Sequence, residues 1–166
     1  MLFRSTSAPD SNYGNPYMLD FKFVQPAATV RNLGVFIDAD VSMKAHIAAT
    51  VRSCFAALRL VRSVRRCLPH QALLTLIRAL VVSKIDYCCS VLAGVSGHLL
   101  DRLQSVLNAA ARLIFSARRS DHITLLLHDL HWLRVPERIQ FRLCVLAFRC
   151  RCTAQLRHTS PKACNE

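Results

Sequence analysis

Glycine and proline are scarce in this chain of 166 residues, at four and six, and that scarcity argues against a loop-rich or all-β protein. Acidic side chains are scarce too: ten Asp and Glu stand against 22 Lys and Arg. No apolar run is long enough to suggest a membrane partner, because Arg78 and Lys84 interrupt the best candidate well short of the ~18–20 residues a span needs. The first eleven residues contain no apolar segment of the kind a secretory signal requires. The expectation is therefore an intracellular protein, cytoplasmic or nuclear, in which disulfides are not the default. The eight cysteines, at 54, 67, 88, 89, 144, 150, 152 and 164, are then read mostly as small buried apolar side chains.

What is present points to a helical core. Hydrophobic residues make up 52% of the chain, enough for one domain that buries roughly 70% of its unfolded surface. The net charge of +12 is carried by 18 Arg and 4 Lys. Between Ser42 and Ser120 there are twelve basic residues and only two acids, Asp86 and Asp101, so 12 − 2 = +10 of the excess lies in the middle. Such a surplus favours a polyanion partner, although a merely solvated basic surface has the same composition.

Residues 1–17 read as an irregular lead. Leu19, Phe21 and Phe23 alternate with polar residues, the period of a strand. Val30 to Ile37 reads as a second strand with Gly34 marking a bulge or a close backbone approach, and the two make a β-hairpin over 18–40. A helical region over 42–149 follows. Ser42 is expected to cap a helix reaching Arg66, with a core stripe of Ile47, Val51, Cys54, Leu58 and Val61. Pro69 to Tyr87 is apolar almost all round, so it is expected to be the buried central helix, with Leu80 in its middle inside the core. Helices at His98–Arg118, with a seam of Leu99, Leu103, Val106, Ala110, Leu113 and Ala117, at Asp121–His131 and at Glu137–Arg149 complete the set. Ser96 and Ser120 are the expected caps of the first two, and Ile139, Leu143, Leu146 and Ala147 are expected to face inward from the last. The fold class is mainly α: about five helices around the central one, with a short N-terminal β-hairpin. Residues 150–166 read as a divergent, disordered tail.

Several blocks in chain order resemble the segment that follows the palm in non-LTR (LINE-type) retrotransposon reverse transcriptases. They are Leu33-Gly34-Val35-Phe36-Ile37-Asp38 with Val41-Ser42-Met43 and His46-Ile47, then Ser83-Lys84-Ile85-Asp86-Tyr87, then Leu103 to Phe115, and finally Asp121 to Thr124 and Leu130 to Phe141. The resemblance implies the end of a palm, with Leu33 and Gly34 in a primer-grip-like hairpin, leading into a helical thumb. It implies contact with RNA or an RNA–DNA duplex through phosphates, with no cofactor and no small-molecule substrate. Nucleic-acid contacts are then expected from Lys44, Arg52, Arg59, Arg62, Arg66, Arg112, Arg118 and Arg119. Arg52, Arg59 and Arg66 recur every seventh residue and so share one line on their helix. Taken alone, that line reads better as arginines lying over an apolar stripe, and the resemblance tips the reading toward nucleic acid.

The paired aspartates with which that family holds two divalent ions have no counterpart, since no Asp-Asp pair occurs. Asp38 and Asp40 read as turn residues. His122, His128 and His131 lack partners at metal-ligand spacing, and Cys150, Cys152, His158 and Cys164 match no common zinc module. No catalytic residue and no metal are therefore expected, and the chain is read as a fragment without chemistry of its own. The alternatives are a non-functional or protein-binding helical relic of such an element and, more remotely, a cysteine/histidine metal protein. On this reading the purified chain incorporates no nucleotide on a primed template with Mg2+ or Mn2+. Metal-dependent incorporation that is lost in Asp38→Ala or Asp40→Ala would overturn it.

Overall fold

The computed structural model describes the backbone of residues 17–19, 22–24 and 27–158 and the side chains of 27–153. The expected lead, except Tyr17, which opens a strand, and the end of the tail, including Cys164, lie outside the described residues. The chain divides into two compact units, residues 1–45 and 46–166.

The first unit holds two hairpins where one was expected. Strand β1 (Tyr17–Leu19) pairs antiparallel with β2 (Lys22–Val24), and β3 (Thr29–Asn32) pairs with β4 (Val35–Asp38). The alternation around Leu19–Phe23 thus belongs to two strands, and Val30–Ile37 is itself folded in half. Its turn is Leu33-Gly34, with φ of 46° and 85°, the positive pair of a two-residue primed turn whose twist suits a hairpin. Gly34 marks that turn, not a bulge. Beyond β4, helix α1 (Lys44–Val64) begins, and its cap is Asp38 where Ser42 was expected. The Asp38 carboxylate accepts the Ala45 N–H at 3.1 Å and the Ser42 hydroxyl at 3.2 Å, satisfying one of the helix's open donors. Asp40 accepts the Ser42 N–H and lies 3.5 Å from Lys44.

In the second unit, α1 buries Ile47, Val51, Cys54, Leu58 and Val61, the stripe its periodicity predicts. A 3-10 turn (Arg65–Cys67) leads to α2 (His70–Ile77), which runs through a π-helical turn (Arg78–Val82) into α3 (Ser83–Asp86) as one continuous rod. The rod is not buried all round. Leu73, Ile77, Val81, Val82 and Ile85 are in the core, while Leu80 is 40% exposed beside exposed Arg78 and Ala79. The π turn explains the pattern. The Ser83 N–H reaches back five residues to the Arg78 carbonyl, so one extra residue is absorbed and both Val81 and Val82 turn inward. The buried Cys54 thiol lies 3.9 Å from the Val81 carbonyl, and Lys84 Nζ donates to Ser53 Oγ at 2.6 Å, fastening the rod to α1.

Helix α4 (Gly97–Phe115) buries Leu99, Leu103, Val106, Leu107, Ala110, Ala111 and Ile114. The adjacent alanines leave room for the rod, and the seam is broader than expected, with Leu113 and Ala117 only half-buried. Ser96 makes no side-chain cap to α4. Helix α5 (Ile123–Asp129) is shorter than expected and is preceded by His122. Helix α6 (Val135–His158) is longer, carrying the chain as a helix well past residue 149. Its inward face is short. Ile139 is buried, but Leu143 and Leu146 are 40% and 46% exposed, Ala147 is exposed, and no described residue of α6 beyond Gln140 is buried. The end of the rod and the turn at 89–92 lie beside α6 as far as Arg149 but cover this face only in part. The cysteines also divide: Cys54 and Cys89 are buried, while Cys67, Cys144 and Cys150 are exposed, so burial as a general reading fails. Burial pushes both the Cys54 and Cys89 thiols up, which keeps them protonated and inert.

Two polar ties hold α6 in place. Arg138 Nη1 donates to both oxygens of Asp86 at 2.7 and 2.9 Å, with both side chains largely buried, and Arg138 Nε donates to the Leu133 carbonyl. Gln104 of α4 accepts the Val135 N–H at 2.9 Å and donates to Asn108. Residues 83–87, 103–115 and 130–141 therefore meet through Asp86, Gln104 and Arg138.

Asp86→Ala leaves a largely buried guanidinium without its anion and is expected to cost roughly 2–3 kcal/mol of unfolding free energy in urea. Adding Arg138→Met should cost clearly less than the sum of the two single changes, because the orphan charge is then gone. Additive losses would mean that the pair does not couple. A second expectation concerns His46, which is buried with Nδ1 unpartnered and whose pKa burial holds below its ordinary 6.5. The unfolded chain then takes up this proton first. Stability is intact above pH 6.5 and is lost as pH falls from there through the lower folded value. His46→Leu should flatten that part of the stability–pH curve, and an unchanged slope would exclude His46 as its source.

Candidate nucleic-acid interface

Five arginines line a cleft of about 550 Å3. One wall comes from the second half of α1 and the turn after it: Phe55, Leu58, Arg59, Arg62 and Arg65. The other comes from the end of α4 and the residues beyond: Ala109, Arg112, Leu113, Ser116, Ala117 and Arg119. Helical spacing accounts for the first wall, since positions 55, 58, 59 and 62 recur at three to four residues and share a face. The second depends on how α4 stops. Ser116 adopts a left-handed conformation (φ 58°), and its N–H and that of Ala117 both return to the Arg112 carbonyl. This αL ending turns the chain so that Arg119 joins the same cleft.

Five arginines thus face one space with no Asp or Glu in its lining, and none of the five enters an ion pair among the described residues. Arg112 is half-buried, and its Nε is shielded from solvent without a hydrogen-bond partner. An unsatisfied donor of this kind costs about 1–3 kcal/mol. The floor is different. Leu58 is buried and Phe55 and Leu113 are half-buried, while Arg59, Arg62 and Arg119 are exposed, so the cleft has an apolar floor and a more exposed cationic rim.

Of the residues that sequence singled out, Arg59, Arg62, Arg112 and Arg119 are brought together here. Arg52 and Arg66 are exposed but do not line the cleft, so the seven-residue line is not the organising feature. Arg118 is exposed, and its backbone N–H donates to Asp121 at 2.6 Å. Lys44 faces Asp40 in the N-terminal unit, where Leu33 and Gly34 form the hairpin tip. Sequence reasoning missed Arg65, although 59, 62 and 65 are spaced by three and the signal was available. It also missed the aromatic floor, which only the meeting of two helices reveals.

Asp38 and Asp40 serve α1 and its first turn. No group of three or more His, Cys, Asp or Glu among the described residues is placed to hold one metal ion. The side chain of His158 and all of Cys164 lie outside the described residues, and the tail cysteine–histidine set falls there with them. No helix among the described residues is long and apolar enough to cross a membrane. No family model, no curated protein and no solved structure matches this chain.

Proposed function

We propose that this chain is a nucleic-acid-binding helical unit, without catalysis of its own, from the palm end and thumb of a non-LTR retrotransposon reverse transcriptase. The five-arginine cleft carries the reading, supported by the sequence blocks that resemble that family. Arginine is the side chain best matched to phosphate, since its planar fork donates two hydrogen bonds at once and it stays charged at any physiological pH. Five such groups with no acid among them give a site that attracts polyanions from a distance and grips phosphates at close range. Binding through phosphates positions a strand without reading its sequence, which is what a polymerase subdomain needs from every template it meets.

A protein-binding relic is the second reading, favoured by the exposed apolar side chains of α6. Phe141 and Phe148 are 59% and 68% exposed and lie seven residues apart on one face. On that reading nucleic-acid binding is weak and follows net charge alone.

The two readings part on one comparison. Arg59→Gln, Arg62→Gln and Arg112→Gln together should weaken binding of an RNA–DNA duplex. The slope of log K against log salt should fall by about two to three, at roughly 0.7–0.9 for each phosphate that is no longer neutralised. Melting temperature should stay level or rise, because three mutually repelling charges are removed. The control triple Arg142→Gln, Arg149→Gln and Arg151→Gln removes the same charge from α6 and should have much less effect. Equal effects from both triples would overturn the nucleic-acid reading in favour of the relic.

A further inference from the structure

We infer that the arginine cleft takes single-stranded nucleic acid, with an unpaired base laid on Phe55 and the neighbouring phosphates on the arginine rim. The inference rests on the nucleic-acid reading and specifies which form of strand this cleft receives. Its basis is the mismatch between rim and floor. A free phosphate or an inorganic anion would use Arg59, Arg62, Arg65, Arg112 and Arg119 and leave the apolar floor bare. A duplex keeps its bases stacked inside and presents phosphates on a convex surface, so it too offers nothing to Phe55, Leu58 and Leu113. An unpaired nucleotide supplies both surfaces at once: a flat π-face for an aromatic ring and a phosphate at each end of the sugar.

Three observations agree with that occupant. The volume of about 550 Å3 lies in the range of roughly 300–1,000 Å3 typical of small-ligand pockets, large enough for one nucleotide, whereas a duplex reaches only the rim. Phe55 is half-buried, held in place by the core while one part remains available in the cleft. Arg112 lines the same cleft and is half-buried, so its cationic group is held beside Leu113 and Ala109. Cationic grooves interleaved with aromatic rings are the general solution for unpaired strands, because every base has a π-face whatever its identity.

The test uses the full chain with two fluorescein-labelled probes at equal salt: a 12-nucleotide oligouridylate and a blunt 12-base-pair RNA duplex. The single strand should bind more tightly. Phe55→Leu keeps the apolar volume and removes the ring, and it should weaken the single strand about five- to a hundredfold while leaving the duplex within twofold. Phe55→Trp should restore binding, and its indole fluorescence should be quenched when the strand is added, over a constant background from buried Trp132. Duplex binding at least as tight as single-strand binding, or a Phe55→Leu variant unchanged on the single strand, overturns the inference while the nucleic-acid reading stands. If neither probe binds with salt dependence, that reading itself fails and takes the inference with it.

Discussion

The contact between Asp86 and Arg138 joins parts of the chain 52 residues apart, and the helical unit is arranged around it. Asp86 ends the rod made by α2 and α3, and Arg138 lies in the first turn of α6. Without the tie, α6 would be held by Val135 and Ile139, by its packing beside the 89–92 turn and α4, and by the hydrogen bond that the Val135 N–H donates to Gln104. Its remaining described length contributes no buried side chain. A largely buried ion pair adds little net energy beyond what apolar residues would supply, since desolvation offsets most of the attraction. It does penalise misplacement heavily, because either partner alone is a stranded charge. The pair therefore selects one arrangement of α6 against the rod.

The same contact bears on the cleft through scarcity. Acids are few, and most of the described ones are engaged in holding backbone or single partners. Asp38 caps α1, Asp40 meets Ser42 and Lys44, Asp86 meets Arg138, Asp121 accepts the Arg118 N–H and Glu137 accepts the Arg134 N–H. None of these enters the lining of the arginine cleft. Its charge is left uncompensated because the acids hold the architecture elsewhere, and that division between fastening and attraction is written in the placement of a handful of side chains.

Much of the fold was legible in the sequence. The Ile47–Val61 stripe, the apolar positions of α4 and the existence of every helix follow from periodicity, which survives any tertiary context that buries one face. Three features were not. The rod between Pro69 and Tyr87 is so uniformly apolar that its pattern carries no phase, and only the π turn decides that Leu80 faces out while Val81 and Val82 face in. The short strands were misjudged because a primed turn at Leu33-Gly34 places a leucine at positive φ, where sequence offers only the glycine as a cue. The inward face of α6 was overestimated because periodicity says which residues share a side and nothing about how far a partner covers it. As for the cleft, charge counting found four of its five arginines. The choice among the many basic positions came from the αL ending of α4 at Ser116, a backbone event with no strong sequence mark.

The π turn also bears on how this chain tolerates change in length. A turn that closes five residues back already houses one residue more than a regular helix requires. Losing a single codon between Arg78 and Val82 would convert it to ordinary helix and leave Asp86 on the side that faces Arg138. The same loss in the regular turns of α4 would rotate everything beyond it by about 100° per residue and carry Gln104 away from Val135 or Arg112 out of the cleft. The rod thus has one site of slack in an otherwise phase-locked structure, and it lies one turn before the aspartate whose position matters most.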